Sequence, residues 1–261
     1  MAPKAVLSGN ENMTGRIIGK ELIELGSVGS TNKEAAERLA LSQVAHGTVI
    51  LAHEQTDGRG QRGRSWVSGS SLDLTFSIVL LPSRLRASDQ FKLAKVAALA
   101  VQEVVQAKVL NEVKIKWPND VLVERRKIAG ILIKNAIVGN MVQSSIVGIG
   151  LNVNSRELDE AYLPTSLRLE TGVEQDRMTV LEELLSAFER RWVQLETDHP
   201  ALGSDFSDAL WSVGRWTGFE LDGNPITARA MDVDSDGRLI VETEDGKVTA
   251  YGLERLRFGE R

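Results

Sequence analysis

Residues 113–134 read VKIKWPNDVLVERRKIAGILIK. Hydrophobic side chains alternate through Val113, Ile115 and Trp117, then stop at Pro118-Asn119-Asp120. They resume at Val121-Leu122-Val123, stop over 124–127, and resume over 128–133. A period of two, broken by turn residues, predicts three short strands joined by tight turns. Lys116, Asn119, Asp120 and Lys127 fall at those turns or on the strand faces beside them. Such a cluster can bind an anion and a metal at one point. It can equally be the solvated edge of a hairpin, where charge discourages sheet-to-sheet association.

Outward from this stretch, the pattern alternates between helix and strand. On the N-terminal side, 17–25 reads as a strand, and Thr31 with Glu34 forms a capping box for a helix over 33–40. Apolar strands follow over 48–53 and 72–81, separated by a glycine- and arginine-rich loop at 58–63. Ser88 is read as the cap of a long helix to about Ala107, whose apolar face repeats at helical spacing from Phe91 to Val105. On the C-terminal side, 141–153 is a strand ending in GIGLNVN. A second capping box, Thr179 with Glu182, opens a helix to about Thr197, and 204–212 reads as a shorter helix. From residue 214 the character changes. Short strands over 219–221, 226–233, 238–242 and 247–251 are separated by Asp-Gly turns, which describes a small, partly open β-barrel. The chain is therefore α+β, with domains at 1–213 and 214–261.

The bulk numbers narrow the function. A hydrophobic content of 42% supports a real core, and the absence of cysteine excludes disulfides, thiolate catalysis and cysteine-bound metal. The net charge of −5 argues against a global field for nucleic acid, so any anion site must be built locally. No apolar run reaches membrane-span length, and the N-terminus is too poor in apolar residues for a secretory signal. A cytoplasmic location is expected. His46, His53 and His199 form no metal-binding pair.

Residues 58–63, GRGQRG, fit the letters of a dinucleotide-binding turn. That turn must open a helix, whereas here Arg64-Ser65-Trp66 leads to a strand, so a Rossmann site is rejected. The glycines nonetheless expose backbone N–H groups, and Arg59, Arg62 and Arg64 could wrap a phosphate. A mobile basic surface loop with Trp66 anchored in the core is the plain alternative.

The motifs GSTN (29–32), EQTDGRGQRGRSW (54–66), KWPNDV (116–121), RKIAGIL (126–132) and GIGLNVN (148–154) occur in an order that resembles the biotin–protein ligases. The likeness runs from about Ile17 to about Phe258. It implies a mixed, largely antiparallel sheet packed with helices, like class II synthetases, followed by an SH3-like barrel. It also implies a two-step reaction: biotin and ATP give biotinyl-5′-adenylate, and a lysine of a biotin carboxyl carrier domain then takes the biotin. By the family pattern Ser30, Thr31 and Gln55, with Asn32 beside them, bind biotin's ureido head. Gly58, Arg59, Gly60 and Gln61 close over biotin and its adenylate, and Gly130 lets a strand pack against biotin. Lys127 bridges the biotin carboxylate and the α-phosphate, and with Arg59 is the expected catalytic group. Arg62, Arg64 and Trp66 face the nucleotide. Lys116, Asn119 and Asp120 line the phosphate side, where Mg²⁺ is expected with Asp120 as its ligand, and Asn152 contacts nucleotide or metal.

The family loop usually carries a second arginine where Gln61 stands, so faster escape of the adenylate is expected. The C-terminal YGLERLRF matches the family ending loosely. No room precedes Gly29 for the winged helix of repressor-type ligases, so DNA binding is not expected. Homodimers through a sheet edge are common in the family. The rival readings are a lipoate or octanoate transferase or ligase, and a non-enzymatic nucleotide- or RNA-binding module.

Overall fold

A computed structural model describes residues 15–67, 69–158 and 163–259. The N-terminal stretch read for a signal lies mostly outside them, as do residues 260 and 261 of the small domain. The chain runs β1 (Leu22–Val28), α1 (Thr31–Ala40), β2 (Val49–Gln55), β3 (Leu74–Leu80), α2 (Phe91–Gln106), β4 (Val113–Lys116), β5 (Asp120–Val123), β6 (Arg126–Val138) and β7 (Met141–Leu151). Then come α3 (Leu167–Thr171), α4 (Arg177–Glu196) and α5 (Ala201–Ala209). The last strands are β8 (Trp216–Leu221), β9 (Asn224–Val233), β10 (Leu239–Thr243), β11 (Val248–Tyr251) and β12 (Leu256–Phe258).

The stretch 113–134 folds into β4, β5 and the first part of β6, paired antiparallel as the alternation requires. β6 continues to Val138 because its ladder with β7 persists after the side chains turn polar at Lys134 and Asn135. The large sheet has the order β1-β2-β3-β7-β6-β5-β4. β1 and β2 are parallel, and the other neighbours are antiparallel.

Strand alternation divides the sheet between two layers. Leu51, Ile78, Val147 and Ile149 face the main core with α2 and α4. Ile50, Val79 and Ile146 face the other way, against Ala35 of α1. On that second face the strands continue into Thr75, Ser77, Gly148 and Gly150, which are too small to fill the space beyond α1. A groove is left there, and it becomes the site.

The capping boxes fail at both helices. Ser30 is the N-cap of α1 and makes no side-chain cap bond, while Thr31 turns its hydroxyl to Gln55 and Glu34 binds Arg38. Asp176 caps α4, accepting from Thr179 N at 2.7 Å, so α4 begins two residues before Thr179. Ser88 lies in a 3-10 turn ahead of α2 rather than at its cap. The first strand starts later than expected because Ile17 and Ile18 donate their N–H groups to Glu189 of α4.

The C-terminal strands form an antiparallel sheet ordered β11-β10-β9-β8-β12. It rests on the first sheet at the Trp-Pro turn. Trp117 Nε1 donates to Gly237 O at 2.8 Å. Gly237, at φ +81°, lies so close to Phe91 that a Cβ there would come within 2.5 Å of the ring. Among the described residues no helix is long and apolar enough to cross a membrane.

Candidate active site

The groove opens into a cleft of about 980 Å³. Its closed end is built by the start of α1. Gln55 Oε1 accepts from Thr31 N at 2.8 Å and from Thr31 Oγ1 at 3.2 Å. Because that oxygen is taken, the side-chain NH₂ is what Gln55 offers a ligand. Ser30, Thr31 and Asn32 are all buried. Asn32 lines the cleft and is also tied to the fold: Nδ2 donates to Leu132 O at 3.0 Å, and Oδ1 accepts from Ser77 Oγ at 2.7 Å. A Cβ at Gly148 would meet that amide at 2.5 Å, which explains the glycine.

The glycine-rich loop is a narrow hairpin over the cleft. Trp66 N donates to Gly58 O, Gly60 N donates to Arg64 O, and Arg59 bridges Ser65. Gln61–Gly63 form the 3-10 tip. Arg59, Gly60, Gln61, Arg62 and Arg64 line the cleft. Gly58 does not: it is buried at the hairpin base, where a Cβ would fall 2.2 Å from Trp66 O. Arg59 pairs with Asp57 at 2.9 Å and is largely exposed.

Trp66 lies flat on the strands. A Cβ at Gly150 would come within 2.2 Å of its ring and one at Gly130 within 3.1 Å, so both glycines make room for the indole. Gly130 thus backs Trp66 and Lys127. The indole Nε1 is shut from solvent with no partner among the described residues, a state that native structures rarely leave unanswered.

Lys127 stands beside Trp66, its Nζ 5.6 Å from the ring centroid, and pairs with Asp120 at 2.7 Å. It is a strand residue, the second of β6. Asn119 Nδ2 donates to Ile131 O, and Asn152 Nδ2 to Thr165 O, both at 2.9 Å. Each of those two side chains keeps its amide oxygen and a second N–H for a ligand. Lys116 Nζ lies 5.0 Å from the Phe258 centroid and 5.6 Å from that of Trp211. No group of three His, Cys, Asp or Glu side chains suited to a metal occurs among the described residues.

Several wall residues went unread in the sequence. Glu157, Leu158 and Pro164 come from the segment after β7, and Leu253, Arg257, Phe258 and Gly259 from the small domain. For Gly148 and Gly150 a signal existed: alternate glycines in GIG mark one bared strand face. For the small domain there was none, because contact across domains leaves no local period.

The sequence matches the model of the Biotin/lipoate A/B protein ligase family over residues 25–152. Residues 216–252 match the Biotin protein ligase C terminal domain. The Bifunctional ligase/repressor BirA of Bacillus subtilis (strain 168) is 32% identical over 249 residues, covering 91% of this chain and 74% of that protein. The Biotin–[acetyl-CoA-carboxylase] ligase of Mycobacterium tuberculosis is 31% identical over 229 residues, 85% of this chain and 84% of that one. The structure of the Biotin protein ligase from Aquifex aeolicus in complex with biotin and ATP is similar with a TM-score of 0.76 and 30% identity, over 92% of this chain and 100% of that chain. The mixed sheet followed by a small β domain matches the fold of biotin protein ligase structures. The chain belongs to the biotin protein ligase family.

Proposed function

We propose that this protein activates biotin with ATP and transfers it to a lysine of a biotin carboxyl carrier domain. The observation that carries the reading is the polarity of the cleft. Its closed end offers neutral hydrogen-bonding groups at Ser30, Thr31 and Gln55, and its open end gathers Lys127 and the arginine hairpin. A neutral urea and a carboxylate at opposite ends of one molecule match that gradient.

In the first step a biotin carboxylate oxygen attacks the α-phosphorus of ATP, and pyrophosphate leaves with the electrons of the broken P–O bond. Two anions must approach, so fixed cations that exclude water lower the barrier. Lys127 would neutralise both the carboxylate and the α-phosphate, exchanging Asp120 for them. Arg59, Gly60 and Gln61 close over the acyl adenylate, while Arg62, Arg64 and Trp66 attend the nucleotide. The orphaned indole N–H becomes a donor for it. Lys116, Asn119 and Asn152 border the phosphates. Magnesium needs few protein oxygens when a triphosphate supplies the rest; Asp120, once released by Lys127, would hold the ion, whose charge would screen the phosphates. In the second step the acceptor amine attacks the acyl carbon, AMP departs with the acyl–oxygen electrons, and the amine proton is lost as the amide forms.

Use of ATP and of carrier proteins as substrates points to the cytoplasm. The acceptor is most simply a domain of an acyl-CoA carboxylase. β1 is the outer strand of the large sheet, and a homodimer through that edge would appear as a doubled mass in light scattering. The decisive assay is biotin-dependent ATP–pyrophosphate exchange, with labelled biotin and labelled lipoate offered to a carrier domain. Exchange and labelling with biotin alone are expected. Labelling by lipoate would reassign the substrate, and no exchange would leave only a binding module.

A further inference from the structure

Arg125, Arg126 and Lys127 place three cations in a row at the turn into β6. Lys127 faces the cleft. Arg126 turns away, to Glu124 at 3.6 Å and Glu170 at 3.0 Å. Glu170 is the fourth residue of α3, and its side chain is only 2% exposed. A carboxylate so enclosed is stable only when its oxygens are partnered. Oε2 accepts from Arg126 and from Asn111 Nδ2, and Oε1 accepts from Thr165 Oγ1.

Thr165 belongs to a short clamp on Lys127 itself. Lys127 N donates to Leu163 O at 2.9 Å, and Thr165 N donates to Lys127 O at 2.8 Å. Thr165 O in turn accepts from Asn152. The clamp has something to correct. The β5–β6 register shifts here, with Lys127 opposite Leu122 but Ala129 opposite Val121. A bulge of this kind loosens the ladder and leaves the aim of its side chains to neighbouring contacts.

We infer that Glu170 is a positioning residue that sets the direction of Lys127, drawing Arg126 off the cleft side and pinning Thr165. This rests on the reading that Lys127 meets biotin's carboxylate. The test uses the full chain as wild type, Glu170→Gln, Thr165→Val and Thr165→Ser. Each is titrated with biotin and with biotinol, in which an alcohol replaces the acid, and assayed for biotin-dependent ATP–pyrophosphate exchange. For Glu170→Gln and Thr165→Val the exchange rate falls about 10- to 100-fold and biotin affinity about 10-fold, while biotinol affinity stays within about 2-fold. Thr165→Ser behaves as wild type. A merely structural role would weaken biotin and biotinol together; that result, or no loss at all, overturns the inference. Should Glu170→Gln fail to fold, Thr165→Val decides by the same comparison, since it keeps the carboxylate and its arginine. A wild type that neither binds biotin nor supports exchange would instead overturn the reading of the site, and this inference with it.

Discussion

At the scale of single residues, Lys127 and Gly150 make opposite demands. Lys127 sits at the cleft wall with its side chain a quarter exposed, so its loss costs chemistry more than core. Lys127→Ala is expected to lower adenylate formation about 100- to 1,000-fold, with an unfolding midpoint close to wild type; full activity in a quenched-flow assay would contradict the assignment. Gly150→Ala forces a methyl into the Trp66 ring. It should destabilise the fold by about 1–3 kcal/mol in denaturant titrations and disturb nucleotide binding as the indole shifts. Gln61 stands at the hairpin tip where the family usually carries arginine. Gln61→Arg should slow escape of biotinyl-adenylate in a release assay, and equal rates would remove any role for that position. Lys127 and Gln61 could be singled out because each sits in a motif that chemistry restricts, whereas Gly150 was passed over within GIGLNVN. Asn32 shows the limit of such reading: its amide is tied to Leu132 and Ser77, which only three-dimensional contact reveals.

At the scale of elements, the strands of 113–134 were legible because burial on one face enforces a period of two. Helix starts were not, since several Ser, Thr and Asp residues compete at each end and packing chooses among them. α3 escaped notice because five residues carry too little periodicity. The connection between α1 and β2 holds a testable group, His46. Its Nδ1 accepts from Leu81 N at 2.9 Å, and its ring lies against Trp192. Burial lowers its pKa from the ordinary 6.5, against the opposing pull of Glu196 and Glu189. The folded state therefore prefers the neutral ring, and protonation would also cost the bond to Leu81 N. A depressed folded pKa means the unfolded chain takes up the proton first as pH falls. The stabilising contribution is complete above about 6.5 and declines below it. Thermal unfolding of wild type and His46→Gln between pH 7.5 and 5 should show the wild type losing more on acidification; parallel curves would exclude His46.

At the scale of the whole molecule, the two sheets share one cleft. Phe258 of β12 covers Lys116 and packs on Phe219 and Trp211. Phe258→Ala is expected to raise KM for ATP well above any change in biotin affinity, because it unsettles the phosphate side and leaves Thr31 and Gln55 untouched; a larger effect on biotin would refute this. Ligands that bind only the folded chain raise its melting temperature, so biotin with ATP should raise it further than biotin alone. The ion pair of Lys127 with Asp120 carries one more implication. Lys127, the main cation of the cleft, already has a partner, so an incoming acid trades one partner for another and gains little net attraction. Discrimination among small acids must then fall to the uncharged head group, and salt should disturb turnover more than it disturbs the choice of vitamin.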